Sequence, residues 1–297
     1  MKKKLSFSRF AWILVRALRV LGIVWARSIR KVSPQSSSVQ LLIDRVLHLN
    51  EVLGYFLPSL TYVLSLKSLG QDSIVFRPFT DDADKVSKAY EPIVRKMLSP
   101  LASDIVVDIG ANIGVHTIWL SRRVGSTGLV IAVEPEKSNF FILTLNQQVN
   151  SIKNIVAIRS ALSSKSAKGT LTVPRATLMG QASTQTASFS PKSYAASLDF
   201  ETLDNIIRAR HLPNVSAIKI DVEGAELSVL QGARKTIERF EPRLVIEVHG
   251  HDNLRSIRDI LKSMNMIIAS ETIATSRPDE SRHFLLATRA ANQLTHQ

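Results

Sequence analysis

Acidic side chains and one histidine stand at the ends of four apolar, β-branched runs that predict buried strands. They are Asp108, Glu134, Asp221 and Glu247, with His249 two residues after the last. A hydrophobic core needs none of these groups, because a buried carboxylate is costly unless it meets a partner. The carboxyl ends of parallel strands meet at one edge of an open α/β sheet, and ligands bind beyond that edge. The sequence therefore predicts one site that collects these groups.

The segment around the first acid has the form of a nucleoside-binding βαβ unit. Gly110 and Gly114 allow the backbone to turn and to approach a ligand closely. Glu134 lies 20 residues past Gly114 and can accept hydrogen bonds from both hydroxyls of a ribose. The unit consists of a strand, a helix that ends at Gly125 and a second strand, predicted over residues 105–109, 113–124 and 129–133.

The loop of this unit indicates which nucleoside it binds. Residues 108–114 read D-x-G-x-N-x-G, whereas a pyrophosphate loop reads G-x-G-x-x-G and places the diphosphate on a helix N-terminus. Asp108 would repel a pyrophosphate but suits the ammonium group of an amino acid. A ligand with a ribose at one end and an aminocarboxylate at the other is S-adenosylmethionine (SAM). A Rossmann-like turn that binds no ligand stays open as the alternative, because such glycine loops are weakly specific.

Length and composition set the class of protein. The 297 residues suffice for one large α/β domain plus an extension. The absence of cysteine excludes disulfides, thiolate zinc sites and a cysteine nucleophile. The net charge is +13, but residues 1–33 hold nine Lys/Arg and no acid, so the remaining 264 residues carry only +4. The basicity belongs to this arm, and we do not expect nucleic acid as a partner because interleaved aromatic and polar residues are missing.

Residues 1–33 form a basic amphipathic arm. Its apolar stretch, residues 11–25, is interrupted by Arg16 and Arg19, which leaves no run near the ~20 residues that span a bilayer and fits a signal peptide poorly. On a helical wheel, these two arginines fall with Arg27 and Arg30 in an arc of about 80°. Two interpretations stay open: peripheral contact with an anionic membrane, or a helix docked on the domain. We expect a cytoplasmic location, peripheral to the membrane in the first case.

The chain is predicted to contain an extension, a main domain and one long loop. Residues 39–73 are assigned to a helical extension, with one or two helices over 39–69, and residues 74–290 to the domain. Residues 174–197, rich in Ser, Thr and Ala, are a functional loop or lid, or else disordered. Inside the domain, helices are predicted over 82–98, 137–149 and 225–240 and from 202 onward, and strands over 74–76, 155–158, 169–173, 215–220, 243–248, 264–269 and 284–287. Strand 169–173 is expected to pair with 155–158.

Four segments carry a resemblance to a known family. They are V-D-I-G-A-N-I-G at 107–114, T-L-D at 202–204, K-I-D-V-E-G-A-E at 219–226 with V-L-Q-G-A at 229–233, and E-P-R-L-V-I-E-V-H at 241–249. Together they resemble the FkbM family of SAM-dependent methyltransferases over about residues 74–290. Asn205 departs from the pattern, because a second acid is common there. The loop 174–197 matches no family pattern.

The resemblance implies an α/β fold, with the Rossmann-like seven-stranded sheet of class I methyltransferases, mostly parallel with a late antiparallel strand. It also implies methylation of a hydroxyl on a sugar, glycan or small natural product, with SAM as cofactor. Asp221 would lie beside the sulfonium, Glu134 on the ribose and Ala161 near the adenine. The loop residues that the resemblance places around the methionine end of SAM are Asp108, Gly110, Ala111, Asn112 and Gly114.

His249 is the predicted base that removes a proton from the acceptor. Its ordinary pKa near 6.5 is close to a working pH, and Glu247 or Glu223 could orient it. The alternative is that His249 caps the end of its strand through a backbone hydrogen bond. Glu223 either accepts a hydrogen bond from a substrate hydroxyl or satisfies free N–H groups at a helix N-terminus.

No metal ion is expected, although His249, His251 and Asp252 near Asp221 could form a site, because the spacing does not require one. Two other functions stay open: a nucleotide-dependent oxidoreductase, and a non-catalytic module that retained the fold. The histidines without an acidic partner visible in the sequence are interpreted as surface or packing residues: His48, His116, His211, His283 and His296.

Overall fold

The computed structural model describes residues 65–69, 71–77, 82–86, 90–174, 193–249, 251–277 and 280–289. The helices in these ranges are α1 (Asp82–Lys85), α2 (Pro92–Leu98), α3 (Val115–Val124), α4 (Lys137–Val149), α5 (Leu203–Ala209), α6 (Glu226–Gly232), α7 (Arg234–Phe240) and α8 (His251–Ser263). The strands are β1 (Ser65–Leu69), β2 (Asp72–Phe76), β3 (Ile105–Ile109), β4 (Leu129–Val133), β5 (Ile155–Ile158), β6 (Ala161–Leu162), β7 (Ala167–Pro174), β8 (Ser193–Glu201), β9 (Ala217–Ile220), β10 (Arg243–Val248), β11 (Met266–Arg277) and β12 (Glu280–Arg289).

A seven-stranded sheet forms the centre of the fold, in the order β11-β12-β10-β9-β3-β4-β5. The pairs from β10 across to β5 are parallel, and β12 runs antiparallel to both of its neighbours. This confirms the predicted mostly parallel sheet with one late antiparallel strand. Successive residues of β3 face opposite sides, so that Val107 belongs to one apolar core and Val106 to the other. Burial on both faces explains why the central strands are continuous apolar runs.

The order of strands fixes where a ligand can bind. From β3 the chain continues to β4 on one side, whereas the strand on the other side, β9, comes more than 100 residues later. Such a reversal of direction opens a crevice beyond the carboxyl ends of the two strands. The loop 110–114 follows β3, and Asp221 follows β9, so both predicted cofactor segments enter this crevice.

A hairpin precedes the sheet and corrects one prediction. Helices were expected over residues 39–69, but β1 pairs antiparallel with β2, from Ser65↔Phe76 to Leu69↔Asp72. Residues 65–69 contain only two apolar side chains, Leu66 and Leu69, which are too few to distinguish a helical period from a strand period. The pairing with β2 therefore decides that this segment is a strand. The predicted strand 74–76 is confirmed within β2. Residues 1–64 lie outside the described residues, so the arm and the remainder of the extension stay predictions.

Asn146 of α4 attaches the hairpin to the cofactor loop. Its fully buried side chain accepts a hydrogen bond from Val75 N at 2.6 Å and donates to Val75 O at 3.0 Å and to Ile113 O at 2.7 Å. A buried amide is stable there because all these groups are satisfied. The hairpin is therefore linked directly to the loop that follows β3.

Three further elements differ from their predictions. The helix expected over 82–98 is two helices, because the right-handed helical region is disfavoured for Glu91, the residue before Pro92. Glu91 has a left-handed φ of 41°. The helix expected over 225–240 breaks at Ala233. Strand β7 pairs with β8 instead of β5, in a small sheet ordered β6-β8-β7. Residues 193–197 of the expected loop therefore belong to β8, whereas residues 175–192 lie outside the described part.

The structure also bears on a membrane-spanning element. None of the helices in the described ranges has the length and apolar character needed to cross a bilayer. The basic arm, residues 1–33, is not among those ranges.

Candidate active site

A cavity of about 530 Å³ occupies the crevice beyond the carboxyl ends of β3, β4, β9 and β10. Its volume is in the range typical of small-molecule sites. Eight of the eleven predicted site residues line it: Gly110, Ala111, Asn112, Glu134, Ala161, Asp221, Glu223 and Glu247. The other three, Asp108, Gly114 and His249, are not among its lining residues.

The loop after β3 packs closely against the backbone at the end of β9. The N–H groups of Gly110 and Ala111 both donate to Val133 O, at 3.0 and 3.1 Å. Gly110 has φ +76°, and a Cβ there would lie 1.7 Å from Asp221 O. Only glycine fits here, because any Cβ at this position would collide with the backbone oxygen of Asp221. The close approach of this loop to the end of β9 thus depends on Gly110.

Glu134, which follows β4, lines the cavity, and its carboxylate is held by three N–H groups. One carboxylate oxygen accepts from Asn112 N at 2.8 Å; the other accepts from Glu136 N at 2.9 Å and from the Asn139 amide at 3.3 Å. Burial raises the pKa of Glu134 to about 7, although its three N–H donors oppose the shift. A carboxylate has four lone pairs and three are occupied here, so one acceptor position remains, on Oε2, for a ribose hydroxyl. The residue therefore fits the ribose-binding role.

Replacing Glu134 by glutamine should weaken binding of SAM by about ten- to a hundredfold, the range expected for hydrogen bonds to a charged group. Glutamine keeps the shape, but its NH₂ would face an N–H group of the loop or of Glu136 in place of an acceptor. Titration calorimetry with SAM and S-adenosylhomocysteine (SAH) measures the effect. Glu238→Gln, at the exposed ion pair with Arg234, is the matched control. Equal dissociation constants for Glu134→Gln and the wild type would contradict this assignment.

A buried lysine connects the two predicted cofactor acids. Lys219 Nζ lies 3.4 Å from Asp108 Oδ1 and 3.2 Å from Asp221 Oδ2, and Asp108 Oδ2 also accepts from the Thr117 hydroxyl at 2.6 Å. Burial alone would lower the pKa of Lys219, but Asp221 and Asp108 outweigh burial and raise it. Lys219 therefore remains charged and compensates both acids.

This arrangement changes the role expected of Asp108. Its side chain is fully buried and does not line the cavity, so direct contact with the SAM ammonium, as the sequence suggested, is not what the structure shows. Asp108 instead faces Lys219, whose Nζ also lies 3.5 Å from Gly110 O. Lys219 was not among the predicted site residues, although a charged residue inside the apolar run 217–220 is a recognisable signal.

His249 is surrounded by carboxylates. Its Nδ1 lies 2.8 Å from the fully buried Glu226, and its Nε2 lies 3.4 Å from Glu223 and 3.5 Å from Glu247. Burial alone would lower the pKa of His249, but hydrogen bonds to Glu226 and Glu247 and the other nearby carboxylates raise it to about 11. The expected base with an ordinary pKa is therefore an imidazolium in this arrangement. Nor does it act as the backbone cap considered as the alternative, since both ring nitrogens face carboxylates.

Glu223 lines the cavity and has the properties of a proton acceptor. Burial raises its pKa to about 7, opposed by His249 and reinforced by the carboxylates of Asp221 and Glu247. Its φ of 52° is left-handed. Glu91 and Asn112, with φ values of 41° and 52°, also line the cavity. Strained backbone of this kind persists where the surrounding structure holds it and is concentrated at functional sites.

Four further residues of the cavity were missed: Tyr90, Glu91, His116 and Arg282. His116 was interpreted as a packing residue without an acidic partner, but its Nε2 lies 2.9 Å from Glu91 Oε2. His283 likewise pairs with Glu271 at 2.8 Å. These acids are distant in sequence from their histidines, so no local signal could identify them.

Asp221, Glu247 and His249 present ligand atoms within 4.8 Å of one another, a spacing that could accommodate a metal ion. Each already has an oppositely charged partner: Asp221 has Lys219 at 3.2 Å, Glu247 has Arg282 at 2.9 Å, and His249 has Glu226. These pairs neutralise the charge that a cation would otherwise compensate. We therefore describe the three residues as part of an ion-pair network.

Comparison with known proteins identifies the family. Residues 108–268, more than half of the chain, match the family described as methyltransferase FkbM domain. Methyltransferase 1 of Beauveria bassiana is 24% identical over 222 residues, which cover 69% of this chain and 86% of that protein. Hexuronic acid methyltransferase AglP of Haloferax volcanii is 24% identical over 192 residues, which cover 60% and 70%.

A solved structure described as methyltransferase FkbM from Methylobacillus flagellatus KT aligns with a TM-score of 0.45 at 18% identity, covering 91% of this chain and 60% of that one. The family match confirms the predicted resemblance and the predicted cofactor, SAM, and decides against a nucleotide-dependent oxidoreductase. The chain belongs to the FkbM family of SAM-dependent methyltransferases.

Proposed function

We propose that this protein transfers the methyl group of SAM to a hydroxyl on a sugar, glycan or small natural product. The supporting observation is the set of carboxylates on the acceptor side of the cavity: Glu91, Glu223 and Glu247. Ionised carboxylates only accept hydrogen bonds, so together they suit an acceptor that presents several donors, as the hydroxyl groups of a sugar do. The relative AglP, described as a hexuronic acid methyltransferase, agrees with a sugar-like acceptor.

On the cofactor side, the proposed contacts come from the loop 110–112, Glu134, Ala161 and Asp221. The loop backbone borders the methionine end, Glu134 accepts a hydrogen bond from a ribose hydroxyl and Ala161 contacts the adenine. Bound SAM supplies a methyl group on a positively charged sulfur. Asp221, whose pKa is lowered by Lys219 despite its burial, provides a carboxylate beside that charge. Aligning the reactants in this way supplies much of the rate enhancement of a methyl transfer.

On the acceptor side, we assign the proton transfer to Glu223, with Glu247 and His249 as positioning residues. Glu223 takes the proton from the acceptor oxygen while that oxygen forms its bond to the methyl carbon and the carbon–sulfur bond breaks. A base whose pKa of about 7 lies near the working pH is well suited to this step. His249, as an imidazolium behind Glu223 and Glu247, holds the two carboxylates in place.

The test is incubation of the full chain with methyl-labelled SAM and a panel of hydroxyl-bearing acceptors, which includes sugars, glycans and small natural products. We expect SAH to form together with a labelled product whose fragmentation in mass spectrometry places the methyl group on oxygen. Label on nitrogen would contradict O-methylation. Tight binding of SAH without any turnover on the panel would favour the non-catalytic alternative.

For the arm, we propose peripheral contact with an anionic membrane. Deleting residues 1–33 removes nine positive charges and should abolish binding to phosphatidylserine vesicles at low salt, because each Lys or Arg near such a surface contributes about 1 kcal/mol. Co-sedimentation of the full chain and the truncated chain measures this. Neutral phosphatidylcholine vesicles are the control. A full chain that stays in the supernatant with both vesicle types would leave only the docked-helix interpretation.

A further inference from the structure

The pair of Glu91 and His116 lies on the wall of the cavity and has no role in holding SAM as described above. Glu91 Oε2 and His116 Nε2 are 2.9 Å apart, and their side chains are 11% and 6% exposed. The ring of Tyr90 packs beside that of His116, with centroids 5.3 Å apart. All three residues line the cavity. A buried pair of this kind often adds little to the stability of the fold. We therefore consider a role for the pair of Glu91 and His116 in the cavity.

Glu91 also does not serve as a helix cap, which would be its ordinary role at this position. It occupies the N-cap of α2, but its side chain makes no capping hydrogen bond. Its left-handed φ of 41° carries the strain that a non-glycine residue has in this region. The carboxylate is turned to His116 and the cavity instead of the helix N-terminus.

Arg282 joins Glu91 to the acceptor side proposed above. Its Nη1 lies 2.9 Å from Glu247 Oε1 and 3.8 Å from Glu91 Oε1. The two carboxylates are therefore neighbours around one guanidinium group. Glu91 and Glu223 line the same cavity, so Glu91 can bind a second hydroxyl of the same acceptor.

We propose that Tyr90, Glu91 and His116 form an acceptor subsite that binds an uncharged, polyhydroxylated ring. Glu91 accepts hydrogen bonds from ring hydroxyls next to the one that is methylated. His116 is a positioning residue that acts through Glu91 by fixing the direction of its carboxylate. The subsite rests on the proposed methylation of a hydroxyl and names the class of acceptor.

The preference for an uncharged ring follows from the charges around the cavity. Five carboxylates line it, and the cations that face them are Lys85, Lys219, Arg282 and the imidazolium of His249. Lys219 is paired with two aspartates and Arg282 with Glu247, and Lys85 acts on Asp221 and Glu223. The carboxylate of a uronate would have to compete with these carboxylates for the same cations, whereas a neutral ring adds no charge. The proposed preference for a neutral ring therefore differs from the acidic sugar named for the relative AglP, hexuronic acid.

The test compares matched ligands and matched variants of the full chain saturated with SAH. The ligands are methyl glycosides of glucose, galactose and mannose, each beside its uronate, and binding is measured by saturation-transfer NMR and calorimetry. The variants are Glu91→Gln and, as a control, Glu271→Gln, which breaks a carboxylate–histidine pair outside the cavity lining. For His116, glutamine, whose amide can still donate to Glu91, is compared with alanine.

We expect at least one neutral glycoside to bind and its uronate to bind at least about tenfold more weakly. Glu91→Gln should weaken that glycoside, or raise its KM in turnover, by about ten- to a hundredfold with SAH affinity unchanged. Glu271→Gln and His116→Gln should stay near wild type, whereas His116→Ala should resemble Glu91→Gln. Absence of glycoside binding, tighter binding of the uronates, or wild-type behaviour of Glu91→Gln would overturn the subsite. Sugar methylation with an unchanged KM in Glu91→Gln would overturn the subsite alone, whereas methylation of nitrogen acceptors would overturn the proposed function itself.

Discussion

Glu223→Gln should lower the rate constant of methyl transfer by about 10²–10⁴-fold, the usual contribution of a general base. Glutamine preserves the size of the side chain and can still form a hydrogen bond with the acceptor, but it cannot take the proton. Because Glu223 lies on the acceptor side, the affinity for SAM should change little. The measurement is single-turnover methylation with saturating SAM, combined with calorimetry of SAH binding. Wild-type turnover in this variant would remove Glu223 as the base.

The pH dependence separates Glu223 from His249. A base works in its deprotonated form, so the rate should rise with pH and level off above the pKa of Glu223, which is about 7. Besides burial, the groups that set this pKa are His249, Asp221, Glu247 and Lys85. If His249 were the base, its pKa of about 11 would move the rise to strongly alkaline pH. Glu223→Gln should show no rise near pH 7, and Glu238→Gln, far from the cavity lining, should keep it.

Lys219→Met should destabilise the protein by about 3–5 kcal/mol, the range for removing one partner of a buried ion pair. The methionine fills most of the volume but leaves Asp108, which is fully buried, without its compensating charge. Asp221 loses the same partner. Urea unfolding followed by circular dichroism gives the difference in the free energy of unfolding. Loss of SAM binding should accompany it, because Lys219 also lies near the carbonyl of Gly110.

Two variants decide whether the effect of Lys219→Met is electrostatic. Lys153→Met, at an exposed position, should change stability by less than about 0.5 kcal/mol. The double variant Lys219→Met, Asp108→Asn should recover part of the lost stability, since it removes the unpaired charge together with its partner. A loss below about 1 kcal/mol in Lys219→Met, or no recovery in the double variant, would contradict the buried pair as the cause.

Elements whose pattern is local were determined by the sequence itself. Helix α4 and strand β10 occupy the predicted ranges, 137–149 and 243–248, because apolar spacing and end signals lie within the element. The loop 108–114 and its ligand, SAM, were predicted from local residues: the glycines indicate a tight turn, and Glu134 lies at the spacing of a ribose-binding acid. Together with the segments 219–226 and 241–249, this was enough to identify the family.

What depends on distant residues was decided only by the tertiary structure. Glu91 becomes a candidate site residue because His116, 25 positions later, lies beside it. The charge of His249 also depends on the fold, because its pKa is raised by carboxylates that the fold brings within 3.5 Å. Electrostatic interactions depend on distance in space and not on separation along the chain. Residue type and spacing could therefore predict which strand ends carry the polar groups of the site. The charge that each group holds depends on neighbours that only the folded structure brings close.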